Sequence, residues 1–237
     1  MKLAATALAL LIAATSISAA GQTEADTQLK EARIYLDKAS GRYDYAKGES
    51  LLRQAADSGL PEAQFSMGLL SLGAFDNPPN FVAAADWLAK ASAQGHAGAE
   101  HELGVLYLEG RGVGKDVVKA AGMIGPASEK GNSAAMLDYG VLVFRGEGVK
   151  QDEKIGAQWL LLAARRGNVI AQNRVARIYA FGKGVTVDPV EAMSWNILAT
   201  RGGRSDPELD TMLASLTADQ KAEAQRRADA FKPVATP

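Results

Sequence analysis

Two stretches of the chain carry residue types that could do chemistry. The first is LGVLYLEGRGVGKD, from Leu103 to Asp116, where Gly110, Gly112 and Gly114 alternate ahead of Lys115. Glycines at this density let backbone N–H groups turn toward an anion, and a lysine beside them could hold a phosphate. A phosphate loop also needs Ser or Thr directly after the Lys, and here Asp116 follows. The second stretch is HAGAEH, which holds the two histidines, His96 and His101. They lack the i, i+4 spacing of a zinc-binding helix, and His101-Glu102-Leu103-Gly104 does not complete an HExxH pattern. No Ser-His-Asp set can be read from the residue order. Glu62, Glu100, Glu102 and Glu109 read as solvated helix residues. The expectation is a non-enzyme, with no catalytic residue, no metal ligand and no cofactor.

A tandem repeat accounts for the glycine-rich stretch. Gly59, Gly95, Gly131, Gly167 and Gly203 are each 36 residues apart, as are Ala55, Ala91, Ala127, Ala163 and Ala199. Ala63, Ala99, Ala135 and Ala171 keep the step. So do Gly68, Gly104 and Gly140, with Ala176 in the fourth place. Trp87, Met123, Trp159 and Trp195 form a further column. LGVLYLEGRGVGKD itself recurs as YGVLVFRGEGVKQD from Tyr139 and as VARIYAFGKGVTVD from Val175. A loop that returns once per structural unit is a connector.

Each unit reads as two helices. The first, about 97–109, sets Ala99, Leu103, Leu106 and Tyr107 on one face at helical spacing. Gly104 in its middle suggests close approach of a neighbouring helix. Gly110 and Gly112 end it. The second helix opens at a capping Asp116, Asp152 or Asp188 and stops at Gly131, Gly167 or Gly203. Asp188-Pro189-Val190-Glu191 is the clearest start. One such pair cannot bury its apolar face alone, but stacked pairs can. The predicted fold class is therefore all-α, a right-handed α-α superhelix, or solenoid, with a 36-residue period. Residues 21–60 form N-terminal helices leading in, and 61–203 hold four repeats. Residues 204–231 form capping helices opened by a Thr217/Gln220 capping box, and 232–237 a flexible tail.

The formal net charge is −1 over 237 residues, which gives no pull toward nucleic acid. Hydrophobic residues make up 47 %, enough for a buried core without disulfides, and there is no cysteine. Residues 1–20 have a Lys2 start, an apolar run from Leu3 to Ala14, and small residues at Ser18 and Ala20. That pattern predicts a secretory signal peptide cleaved after Ala20, a periplasmic mature protein, and no stable membrane span after cleavage.

The repeat columns resemble the Sel1-like repeat family, a relative of the tetratricopeptide repeat with a longer loop between its helices. The resemblance is carried by Ala99, Leu103, Gly104 and Tyr107, then Gly110, Gly112, Val113 and Asp116, and by Trp159 with Ala163. It covers about Asp44 to Phe231. The first repeat departs from it at Asp76-Asn77-Pro78-Pro79. The resemblance implies a protein-binding solenoid, an adaptor or regulator whose partner is another protein or peptide of the cell envelope. The chain is expected to be a monomer. The alternative is a cell-wall ligand-binding protein or envelope hydrolase. A cysteine-rich branch of the family is linked to penicillin binding, and this cysteine-free chain does not carry that link over.

In tetratricopeptide-like stacks the concave groove is lined by the face of the first helices that points away from the core columns. Here that face holds Phe65, Leu69 and Leu72; His101, Val105 and Leu108; Leu137, Val141 and Phe144; and Asn173, Arg177 and Ala180. The stripe is apolar at one end and basic at the other, with Arg145, Arg174 and Arg177 near the basic end. Two readings stay open. One is a groove for an amphipathic or extended segment. The other is a tight superhelix in which these side chains pack on each other.

Overall fold

A computed structural model describes residues 21–74 and 78–234. The expected signal peptide and the Asp76-Asn77 departure lie outside these. Helix α1 spans 21–36. It is followed by α2 (Tyr45–Asp57), α3 (Pro61–Ser71), α4 (Phe81–Ala93), α5 (Ala97–Glu109) and α6 (Val117–Glu129). Then come α7 (Ser133–Arg145), α8 (Glu153–Arg165), α9 (Val169–Phe181), α10 (Pro189–Arg201), α11 (Pro207–Leu213) and α12 (Ala218–Ala230). The described residues contain no strand. The chain divides into two compact units. One holds the described residues through Leu106 with Arg111–Gly114, and the other holds Tyr107–Gly110 with Lys115 onward.

The turn between the two helices of each pair is closed in the same way five times. The residue that caps the second helix sends its backbone N–H back across the loop to a carbonyl nine positions earlier. The bonds are Asp44 to Tyr35 (2.9 Å), Asn80 to Ser71 (2.7 Å), Asp116 to Tyr107 (2.9 Å), Asp152 to Val143 (2.9 Å) and Asp188 to Tyr179 (3.0 Å). The same residues' side chains accept from the N–H three positions on, at Lys47, Ala83, Lys119, Ile155 and Glu191. Each cap thus satisfies one of the helix's orphan donors. Asp44 shares this geometry, so α1 and α2 form a pair built like the later ones. The repeat signal begins earlier than residue 61.

The glycines that end the second helices all adopt positive φ, from 81° at Gly95 to 95° at Gly131. After each, the next residue's N–H reaches the carbonyl of the buried alanine column, as in Asn132 to Ala127 (3.1 Å) and Asn168 to Ala163 (3.1 Å). This is the Schellman arrangement. It explains why glycine and alanine repeat together four residues apart.

Small residues set the spacing between helices. Ala55, Ala91, Ala127, Ala163 and Ala199 are fully buried, and so are Ala63, Ala99, Ala135 and Ala171. A Cβ on Gly68 would come within 2.6 Å of the Leu88 side chain, and one on Gly140 within 2.9 Å of Leu160. At Gly68 and Gly140 the mid-helix glycine makes room for the leucine of the following helix. The N-terminal unit packs Leu29, Leu36, Leu52, Met67 and Leu70 into one core. The C-terminal unit packs Leu160, Val175, Ile178, Trp195, Leu209 and Leu213 into another. Helix α12 seals that end, with the expected Thr217/Gln220 capping box and an edge-on Trp195–Phe231 contact at 5.5 Å. Beyond it, Val234 donates its N–H to the Arg165 carbonyl (2.9 Å), so residues 232–234 lie against α8.

The alternating glycines now have a cause. Gly110, Gly146 and Gly182 take the left-handed conformation after their helices, with φ of 72°, 73° and 67°. Gly112, Gly148 and Gly184 also have positive φ. Each abuts the carbonyl that opens the second helix of the preceding repeat, at Phe81, Val117 and Glu153 respectively. At Gly148 a side chain would meet both obstacles. Gly148→Ala is expected to destabilise the chain by about 2–4 kcal/mol, from left-handed strain plus the clash with Val117. Gly122 sits exposed in α6 with open space where a Cβ would go. Gly122→Ala is expected to stabilise by about 1 kcal/mol. Urea denaturation of the two variants beside wild type checks both signs.

Candidate functional site

The predicted stripe separates into layers. In the N-terminal unit, Phe65, Leu69 and Val105 are half-buried, while His101 is buried. In the C-terminal unit, Leu137 and Asn173 are buried, whereas Leu108, Val141, Phe144 and Arg177 stay half-buried. His101, Leu137 and Asn173 occupy one column with half-buried Phe65, 36 residues apart, and all but Phe65 are withdrawn from solvent. Leu137 joins the core around Leu160 and Val175. The row left at the surface is Leu69, Val105, Val141 and Arg177.

Between α7 and α9 the C-terminal unit opens into a cleft of about 180 Å³. Its wall is apolar: Val141, Phe144, Leu160, Ile178 and Phe181. Its rim is cationic: Arg145, Arg174, Arg177 and Lys183. Val141, Phe144 and Arg177 come from the predicted stripe, and Arg145 and Arg174 from the basic end noted beside it. Leu160, Ile178, Phe181 and Lys183 were not foreseen. Leu160 belongs to the second helix of its repeat, outside a wheel drawn on first helices. Phe181 carried a usable signal, since its column holds Gly73, Glu109 and Arg145 in the other repeats.

The rim cations are in different electrostatic states. Arg177 is neutralised within the chain. Its Nε and one Nη bind the Asp206 carboxylate at 2.7 and 2.8 Å, and that Nη also reaches Glu208 at 2.9 Å. These hydrogen bonds raise its pKa. Asp206 is buried, accepts from Asn173 at 2.8 Å, and caps α11 through Leu209 N–H. The Arg177 bond is the largest cause holding Asp206 down at about 2. Arg177 and Asn173 therefore clamp α9 to the start of α11. Among the described residues, Arg145 makes a long contact with exposed Glu147, 3.5 Å. Arg174 is half-buried, and its Nε has no hydrogen-bond partner. Burial lowers its pKa most, and the neighbouring charges of Arg145 and Arg204 push the same way, against Asp138. The cleft thus presents an under-compensated guanidinium beside an apolar wall.

His96 has a structural role. Its Nδ1 accepts from Ala99 N–H at 3.1 Å, as Asn132 and Asn168 accept from Ala135 and Ala171 in the same repeat position. Its Nε2 lies 3.0 Å from Glu62, and its ring stacks on Phe65 at 4.4 Å. The imidazole substitutes for an asparagine cap. Among the described residues no cluster of His, Asp and Glu is placed to hold a metal ion. No helix of these residues is long and apolar enough to cross a membrane.

The Sel1 repeat model matches this chain at residues 39–60, 61–96, 97–132, 133–168 and 169–203, and the chain belongs to that family. Its fold is accordingly an all-α solenoid of Sel1-like repeats, generally a protein–protein interaction module. Among solved structures it is similar to c5321, a protective antigen present in uropathogenic Escherichia coli strains displaying an SLR fold. Identity is 27 % and the TM-score 0.74, over 89 % of this chain and 47 % of that one. The chain thus spans about half the length of c5321. It is also similar to a Sel1 repeat protein from Oxalobacter formigenes, with 26 % identity and a TM-score of 0.72, over 91 % of this chain and 88 % of that one. No curated protein matches the chain.

Two outcomes follow from this geometry. Asp206 keeps a depressed pKa in the folded state, so its contribution is complete above its ordinary value of 3.8 and fades as pH falls toward about 2. Asp206→Asn should lose about 2 kcal/mol relative to wild type at pH 6, and the gap should close near pH 2, as read by denaturant titration at each pH. His96→Ala should lose about 1 kcal/mol for the missing cap, and His96→Asn should recover that part, as measured by thermal unfolding.

Proposed function

We propose that this chain is a periplasmic adaptor or regulator without catalytic activity of its own. It binds a segment of another envelope protein through the half-buried row on the first helices of the C-terminal unit, centred on the cleft between α7 and α9. The observation that carries the reading is that cleft, with Val141, Phe144 and Phe181 beside Arg145 and Arg174. Family membership supports a binding role, and the signal-peptide pattern of residues 1–20 supports export. The groups around the cleft favour binding over catalysis. Guanidinium groups stay protonated near neutral pH and offer neither a nucleophile nor a general base.

A photo-crosslinking residue at Phe181, on the lip of the cleft, tests this in the full chain incubated with envelope extract. One dominant polypeptide adduct is expected, lost when Val141→Asp is added. Val141→Asp alone should shift the melting temperature by less than about 3 °C. A folded chain that yields no polypeptide adduct overturns the proposal. So does a Val141→Asp variant that loses the adduct by unfolding, which would make the row packing rather than a docking surface.

A further inference from the structure

The charge state of the cleft identifies what kind of segment it takes. We infer that its occupant is an acidic peptide segment, one apolar side chain of which enters the cleft while an adjacent carboxylate pairs with Arg174. This rests on the docking reading given above and adds the chemical class of the partner.

The volume argues for a single side chain. Pockets for drug-sized ligands run from about 300 to 1,000 Å³. At about 180 Å³ this cleft is too small for such a ligand, while an apolar residue projecting from a peptide can fill it against Val141, Phe144 and Ile178. The charge argues for an anion. Arg177 is already satisfied by Asp206 and Glu208 and has little left to offer. Arg174 differs: its Nε is buried with no partner, and burial together with the charges of Arg145 and Arg204 outweighs the help of Asp138 and makes its own charge less favourable. A buried donor left unmade and a half-desolvated cation both carry a penalty. A carboxylate pairing with the Arg174 guanidinium offsets the desolvated charge and relieves the repulsion from Arg145 and Arg204. Guanidinium and carboxylate also match as a two-pronged pair, which fixes orientation. An extended segment carrying the sequence acidic–apolar satisfies wall and rim together, whereas a basic or purely apolar segment leaves Arg174 unpaired.

Selection of a random heptapeptide display library on the full wild-type chain tests this, with parallel selection on Arg174→Gln. The expected result is enrichment of Asp or Glu next to Phe, Leu or Trp, absent on Arg174→Gln. A synthetic peptide of the enriched sequence should bind at least tenfold more weakly to Arg174→Gln than to wild type. Its affinity should also fall with added salt. Thermal unfolding of Arg174→Gln confirms that the variant is folded. Arg174→Lys separates charge from shape and should restore affinity only in part. Enriched peptides without acidic residues, or acidic peptides indifferent to Arg174→Gln, overturn the acidic class and leave docking standing. No enriched peptide at all overturns both readings. Laurate is the control for a small amphiphile. If it displaces the selected peptide stoichiometrically, the occupant is a lipid-like anion and the peptide assignment falls.

Discussion

The backbone bond from each capping residue to the carbonyl nine positions earlier is the constraint on which the rest of the structure depends. It fixes where the first helix of a pair ends and where the second begins, and so sets which faces of the two helices meet. Asp44, Asn80, Asp116, Asp152 and Asp188 make it with nearly constant geometry. With the turn fixed, alanine and glycine columns bring the helices close enough to exclude water. Most stability then comes from packing rather than from helix propensity. The half-buried row on α7 and α9, and the cleft between them, exist because this turn always presents the same face outward.

Much of this architecture could be read from the residues. The period, the capping aspartates and the glycine stops are local signals, and local signals survive in a sequence. The leading pair was harder to see as a repeat. Its loop lacks the Gly-x-Gly of the later copies, so Asp44 stood without its usual companions. The stripe was only partly resolved. A helical wheel gives the direction of a side chain but not what lies over it, and His101, Leu137 and Asn173 are covered despite pointing away from the core columns. The Arg177–Asp206 pair joins residues 29 apart through an N-cap, with no spacing rule to announce it. Phe181 was legible, as an aromatic in a column of glycine and charged residues.

The two ends of the C-terminal unit's basic patch illustrate how similar residue types acquire different roles. Arg177 meets a buried carboxylate and becomes part of the frame. Arg174, one turn of helix earlier, is half-buried, feels Arg145 and Arg204 against Asp138, and keeps an unpaired Nε. The difference is set by where α11 begins, since Asp206 is available only because it caps that helix. Helix α11 thus engages one cation and not the other.

The glycines that rest on the preceding repeat have a consequence for how the array comes apart. Gly148 rests against the Val117 carbonyl, and Gly184 against the Glu153 carbonyl, so each of these loops is joined to the start of the second helix one repeat earlier. The contact is shared, and losing either side exposes the other. In a chain whose units speak mainly to their neighbours, melting at one such junction therefore loosens the adjoining repeat before any distant one. Damage to a late loop uncovers the start of its predecessor's second helix, and damage to that helix start frees the loop.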